Sequence, residues 1–99
     1  MAISQRGQEF LIRSRIADAE RGDVDALFEL GVTYSTGRGG MAVDLVEAHK
    51  WFNLAALSGC TRGQGCRAEI AVEMTAREIA EAQRQARSWL GFTQHRHAA

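Results

Sequence analysis

The stretch DVDALFELGVTYSTGRGGMAVDLVEAHKWFNLAALSG, residues 23–59, decides the fold. In its first half Leu27, Leu30, Gly31 and Tyr34 recur at spacings of three and four, which puts them on one face of an α-helix. Asp23 stands just before them, and its carboxylate can accept hydrogen bonds from the free N–H groups of a first helical turn. In the second half Asp44 is followed three residues later by Glu47, a helix-start pattern, and then by Ala48, Trp51, Phe52, Ala55 and Ala56 up to Ser58. These form the most apolar surface in the chain. Between the halves, Gly37-Arg38-Gly39-Gly40 supplies residues that tolerate the positive φ needed where a helix ends. The spacing predicts two helices joined by a glycine-rich loop.

Working outward, Phe10, Ile12, Ile16 and Ala19 give an imperfect apolar stripe among Arg6, Arg13, Arg15 and Glu20, so a capping helix is expected over residues 5–21. Beyond Gly59, Ala68, Ile70 and Ala71 suggest a short helix over residues 65–73. Thr75-Ala76-Arg77-Glu78 is a capping-box pattern for a last helix whose stripe is Ile79, Ala82, Ala86, Trp89 and Leu90. The run after Leu90 has no periodicity, and residues 92–99 are expected to form a flexible tail. No run of β-branched residues with period two appears, and proline is absent. The fold class expected is all-α, in one domain covering residues 1–99.

Composition narrows the function. A chain of 99 residues has no room for a second core, and 45% hydrophobic with 24% charged residues is ordinary for a folded globule. Twelve basic and twelve acidic residues cancel, so the excess positive charge usual in nucleic-acid binding is missing. The arginines of the C-terminal third, Arg62, Arg77, Arg84 and Arg87, are interleaved with Glu69, Glu73, Glu78 and Glu81, the mixture of a solvated helix face. No apolar run approaches the roughly 20 residues that span a bilayer. The first residues also lack a basic patch followed by an apolar segment and a cleavage site. A cytoplasmic location is the expectation, with no nucleic acid and no membrane as partner.

Residues 23–59 resemble the Sel-one-like repeat, a relative of the tetratricopeptide repeat. The resemblance is carried by Ala26, Leu30-Gly31, Tyr34, Gly37-Arg38-Gly39, Asp44, Ala48, Trp51-Phe52, Ala55-Ala56 and Gly59. It departs at the loop from Gly39 to Asp44, about one residue longer than usual, and at Leu27, commonly a polar position. The resemblance implies an αα-hairpin repeat of the alpha-alpha superhelix type, here solitary and flanked by N- and C-terminal capping helices. A single helix pair cannot bury both of its apolar faces, so it needs covers. Phe10 and Ile16 are expected to cover one face, and Ile79, Ala86 and Trp89 the other.

The resemblance also implies a protein–protein interaction module, an adaptor or regulatory scaffold of the kind found in bacterial signalling or envelope processes. Such a module binds a segment of another protein on its concave face, where Asp25, Leu27, Glu29 and Thr33 are the candidate partner-binding residues. Leu27 has two readings: packing on the N-terminal helix, or contact with a partner. A self-assembling homo-oligomer that uses its terminal helices is the alternative function. Chemistry finds little support. His49 reads as a plain surface or core histidine, and His95 and His97 lack further ligands for a metal. Cys60 and Cys66, separated by five residues, match neither a zinc knuckle nor a redox Cys-x-x-Cys motif and read as free thiols. No catalytic residue, cofactor or metal is expected, and the chain is not expected to be an enzyme.

Overall fold

The computed structural model describes residues 5–97, as five α-helices with one short 3-10 turn and, among the described residues, no strand. The order is α1 Gln5–Glu20, α2 Val24–Thr36, the 3-10 turn Arg38–Gly40, α3 Leu45–Leu57, α4 Thr61–Ala71 and α5 Ala76–His97. Among those residues no helix is long and apolar enough to cross a membrane.

Helices α2 and α3 start where their carboxylates dictate. Asp23 accepts from the N–H of Ala26 at 3.2 Å, and Asp44 accepts from that of Glu47 at 3.1 Å. At the far end of α2, Gly37 adopts φ +70° and its N–H returns to the carbonyl of Thr33, closing the helix with a left-handed residue. The chain then reverses, and Asp44 donates its N–H to the carbonyl of Tyr34 at 2.9 Å. With Tyr34 beside Asp44 and Phe28 beside Phe52, the two helices run antiparallel.

Their contact is close because Gly31 lies under the ring of Phe52, where a β-carbon would collide with the ring atoms. Phe28 tilts against the same ring, centroids 5.6 Å apart. Leu30, Phe52 and Leu54 are the largest fully buried side chains, so the core sits between α2 and α3. Helix α5 covers α3 through an edge-on contact of Trp89 with Trp51, centroids 4.8 Å apart, and buries Ala82 and Ala86. Helix α4 comes in at Gly63, which lies against the β-carbon of Ala55 and the carbonyl of Phe52.

Three expectations need correction. Phe10 does not cover the core: it is 72% exposed, and α1 packs through Ile12 and Ala19, which are buried, and the half-buried Ile16. Phe10 precedes Ile12 by two residues, about 200° around a helix, so the two cannot share a face. Gln8 is buried in its place, donating from Nε2 to the carbonyl of Arg38 at 3.3 Å and passing over Gly39, where a β-carbon would fall on its amide.

Helix α4 begins at Thr61 rather than residue 65, because Cys60 caps it, Sγ accepting from the N–H of Gly63 at 3.4 Å. Helix α5 does not stop at Leu90 but continues through Gly91 and Phe92 to His97, so the part of the expected tail up to His97 is helical. Residues 98–99 lie outside the described residues, as do the side chains of His95 and His97.

Two glycine substitutions separate packing from backbone preference. Gly31→Ala is expected to lower stability by about 1–2 kcal/mol in urea denaturation, because overpacking against Phe52 outweighs the better helix propensity of alanine. Gly65→Ala, inside α4 with open space around it, is expected to raise stability by about 0.5–1 kcal/mol.

Candidate functional site

The four residues singled out on α2 do not form a common surface. Leu27 is buried, and so is Thr33, whose hydroxyl donates to the carbonyl of Glu29 at 2.9 Å. Asp25 is exposed in the first turn. Glu29 is half-buried and accepts from Arg38 at 3.0 Å. Leu27 therefore belongs to the core, and of the four only Asp25 is exposed, with Glu29 half-buried and paired to Arg38 of the following turn. The apolar character of Leu27 has a packing cause.

Leu27 has one further neighbourhood. It lines a cleft between the end of α1, the start of α2, the end of α3 and the second half of α5. Leu54, Trp89 and Leu90 supply the other apolar walls, and Glu20, Ser58 and Thr93 the polar ones. Both hydroxyls are satisfied within their own helices, Ser58 donating to the carbonyl of Leu54 and Thr93 to that of Trp89, each at 3.0 Å. What they offer outward is acceptor capacity and aliphatic surface. The cavity holds about 120 Å³ and is partly open to solvent. Cofactor sites typically reach about 300–1,000 Å³, whereas an apolar cavity of about 150 Å³ takes a benzene ring, so this volume suits one side chain.

Trp89 is positioned by a chain of contacts that starts in α3. The carboxylate of Glu47 accepts from the indole N–H of Trp51 at 2.9 Å and from Lys50 at 3.0 Å. The Lys50 ammonium also sits 4.6 Å from the centre of the Trp51 ring. Trp51 then presents its ring to Trp89, which touches Phe92 in turn at 6.5 Å between centroids. The same carboxylate, after burial, helps push the Tyr34 hydroxyl above its ordinary pKa, with Asp44 adding to the effect.

His49 is buried at 3% exposure, and its Nδ1 has no hydrogen-bond partner. Burial holds its pKa below the ordinary value, and the neighbouring Arg67 adds to the depression. Cys60 and Cys66 are free; Cys60 caps α4 and Cys66 lies within it. Six residues of helix separate two positions by about 9 Å along the axis, beyond the roughly 7 Å between Cα atoms that a disulfide spans. Burial and Glu69 raise the Cys66 thiol, which disfavours the nucleophilic thiolate. On α5, hydrogen bonds from Arg84 and Gln85 hold the exposed carboxyl of Glu81 down to about 2, an ion pair on a solvated face. Among the described residues no group of three or more histidine, cysteine or acidic side chains is placed to hold a metal.

Compared with known proteins, the chain matches no family model, and no curated protein and no solved structure matches it.

The burial of Leu27 has a direct consequence. Leu27→Ala is expected to cost about 2–4 kcal/mol, the range for truncating a buried leucine, whereas exposed Asp25→Ala changes stability by no more than about 0.5 kcal/mol. Chemical denaturation of the two variants reads the difference.

Proposed function

We propose that the chain is a protein-binding module, an adaptor or regulatory scaffold that takes an apolar side chain of a partner segment into the cleft between Leu27 and Trp89. The observation that carries this reading is the cleft itself: apolar walls, a polar margin, partial opening and a volume suited to one side chain. Interfaces concentrate their energy in such pockets, where a single anchor is desolvated and the surrounding polar rim excludes water. The resemblance of residues 23–59 to a Sel-one-like repeat supports the same reading. On it, α2 and α3 are the solitary repeat, α1 covers one side, α4 and α5 cover the other, and the cleft lies where the first and last covers meet. The function is read as non-enzymatic and the location as cytoplasmic.

A second reading, self-assembly, has one specific observation in its favour. Leu57 and Phe92, each next in sequence to a polar residue of the cleft, are 63% and 54% exposed. A second copy seated over Phe92, which touches Trp89 of the cleft, would cover apolar surface otherwise left to solvent.

The test is to plug the cleft from its margin. Ser58→Trp places an indole at the cleft mouth from an exposed position, while Gln83→Trp puts the same bulk on the outer face of α5. Affinity capture from the native host is expected to recover one set of proteins with the wild type and with Gln83→Trp, and to lose it with Ser58→Trp at unchanged helix content. Equal recovery by all three variants would remove the cleft as the binding site. Light scattering across a concentration series reads self-assembly, and a concentration-independent monomer would eliminate it.

A further inference from the structure

We propose that His49 is a proton sensor: taking up a proton on its buried imidazole loosens α4 from α3. The proposal rests on placement. His49 lies on α3, is 3% exposed, and its Nδ1 has no hydrogen-bond partner. In the neutral ring an unpaired acceptor nitrogen has a modest cost. In the imidazolium both nitrogens carry N–H donors, and a buried cation without an acceptor for each is far more costly. The charged form is therefore disfavoured for as long as Nδ1 stays closed off from water, and a parting of α3 from a neighbouring helix relieves it.

The neighbour that gives way is α4, for two reasons. Its side facing His49 already carries a positive charge, that of Arg67, which donates from Nη1 to Asn53 Oδ1 at 2.5 Å, one turn along α3 from His49. A second cation at the seam adds repulsion to desolvation. Moreover, no side chain of α4 is fully buried: its one buried residue is Gly63, and Cys66 and Ile70 are half-buried. Helices α2 and α5 are held on α3 by Phe28 and Trp89.

Carboxylates on the helices around His49 include three that hold other partners. Glu29 on α2 holds Arg38, Glu47 on α3 holds Lys50 and Trp51, and Glu81 on α5 holds Arg84. On α4, Glu69 acts on Cys66, and Arg62 lies over the ring of Phe28. The charge that acts on the imidazole is Arg67.

The sign of the pH effect follows from linkage. A histidine whose folded pKa lies below its open-state value binds more protons when open, so the closed state is fully favoured above the ordinary value of 6.5 and loses ground as pH falls below it. Each pH unit below that point increases opening by up to about tenfold, until the closed form also takes up the proton. The window in which His49 acts is pH 7.5 to 5, around and below the ordinary histidine value.

Hydrogen exchange resolved by residue tests this. In the wild type, protection of the α4 amides, corrected for intrinsic rates, is expected to fall severalfold between pH 7.5 and 5, while amides of α2 hold theirs. His49→Gln is expected to abolish the fall, and the double variant His95→Gln with His97→Gln to retain it. Arg67→Gln, a surface-side change that tests the idea even where His49→Gln fails to fold, is expected to shrink the fall by removing the like charge. Protection of α4 that stays flat in the wild type, falls equally in α2, or is indifferent to both His49→Gln and Arg67→Gln overturns the proposal. So does disappearance of the fall in the His95, His97 double variant.

Discussion

The approach of Phe52 to Gly31 is the constraint on which the other contacts depend. It sets the distance between α2 and α3, and with it the space in which Leu30 and Leu54 lose all but a trace of their solvent exposure. Phe52 acts on two sides. Its ring meets α2 at Gly31 and Phe28, and its carbonyl meets α4 at Gly63. Helix α3 is thus approached on two flanks at positions without a β-carbon, and close packing there removes solvent and gains dispersion contacts with no side-chain entropy lost on the glycine side. A 13-residue helix is marginal alone in water, so α3 exists because its neighbours fit it.

The polar contacts around α3 extend that fit to the last helix. A capping box would turn the Glu47 carboxylate back to the N–H of Asp44, but that N–H is already taken by the carbonyl of Tyr34. Glu47 is left free to hold the indole N–H of Trp51 and the ammonium of Lys50. Trp51 is thereby fixed at both its polar and apolar ends, and an aromatic residue so fixed is a firm surface for Trp89 to meet edge-on. The wall of the cleft contributed by α5 is consequently set by a carboxylate on α3. At Thr75 the reciprocal box does form, Thr75 and Glu78 each accepting from the other's N–H, because nothing else competes for them.

Much of this was legible in the sequence wherever a short-range rule decides the outcome. Asp23, Asp44 and Thr75 start helices because capping needs only three residues of context, and Gly37 ends one because its φ is positive. Longer-range facts were not legible. That Gln8 rather than Phe10 faces the core depends on the carbonyl of Arg38, 30 residues away. The extra turn at the start of α4 depends on a cysteine acting as a cap, which thiols do weakly and polar side chains do commonly. The continuation of α5 past Gly91 shows that an isolated glycine tolerated at about 1 kcal/mol need not end a helix that is held elsewhere. For the candidate site, Leu27 and Trp89 were both conspicuous in the sequence, but that they line one cleft is a property of how α1, α2, α3 and α5 meet.

Helix α4 stands apart from this scheme. It is attached to α3 by a glycine contact, by the Arg67–Asn53 hydrogen bond and by half-buried Cys66 and Ile70, and it supplies no residue to the cleft. Local stability follows buried apolar contact, and no side chain of α4 is fully buried, whereas α2 buries Leu27, Phe28 and Leu30. The Trp51–Trp89 contact ties α5 to α3 directly, without passing through α4. A displacement of α4 can therefore leave the walls of the cleft in place, since α1, α2, α3 and α5 alone supply its apolar walls.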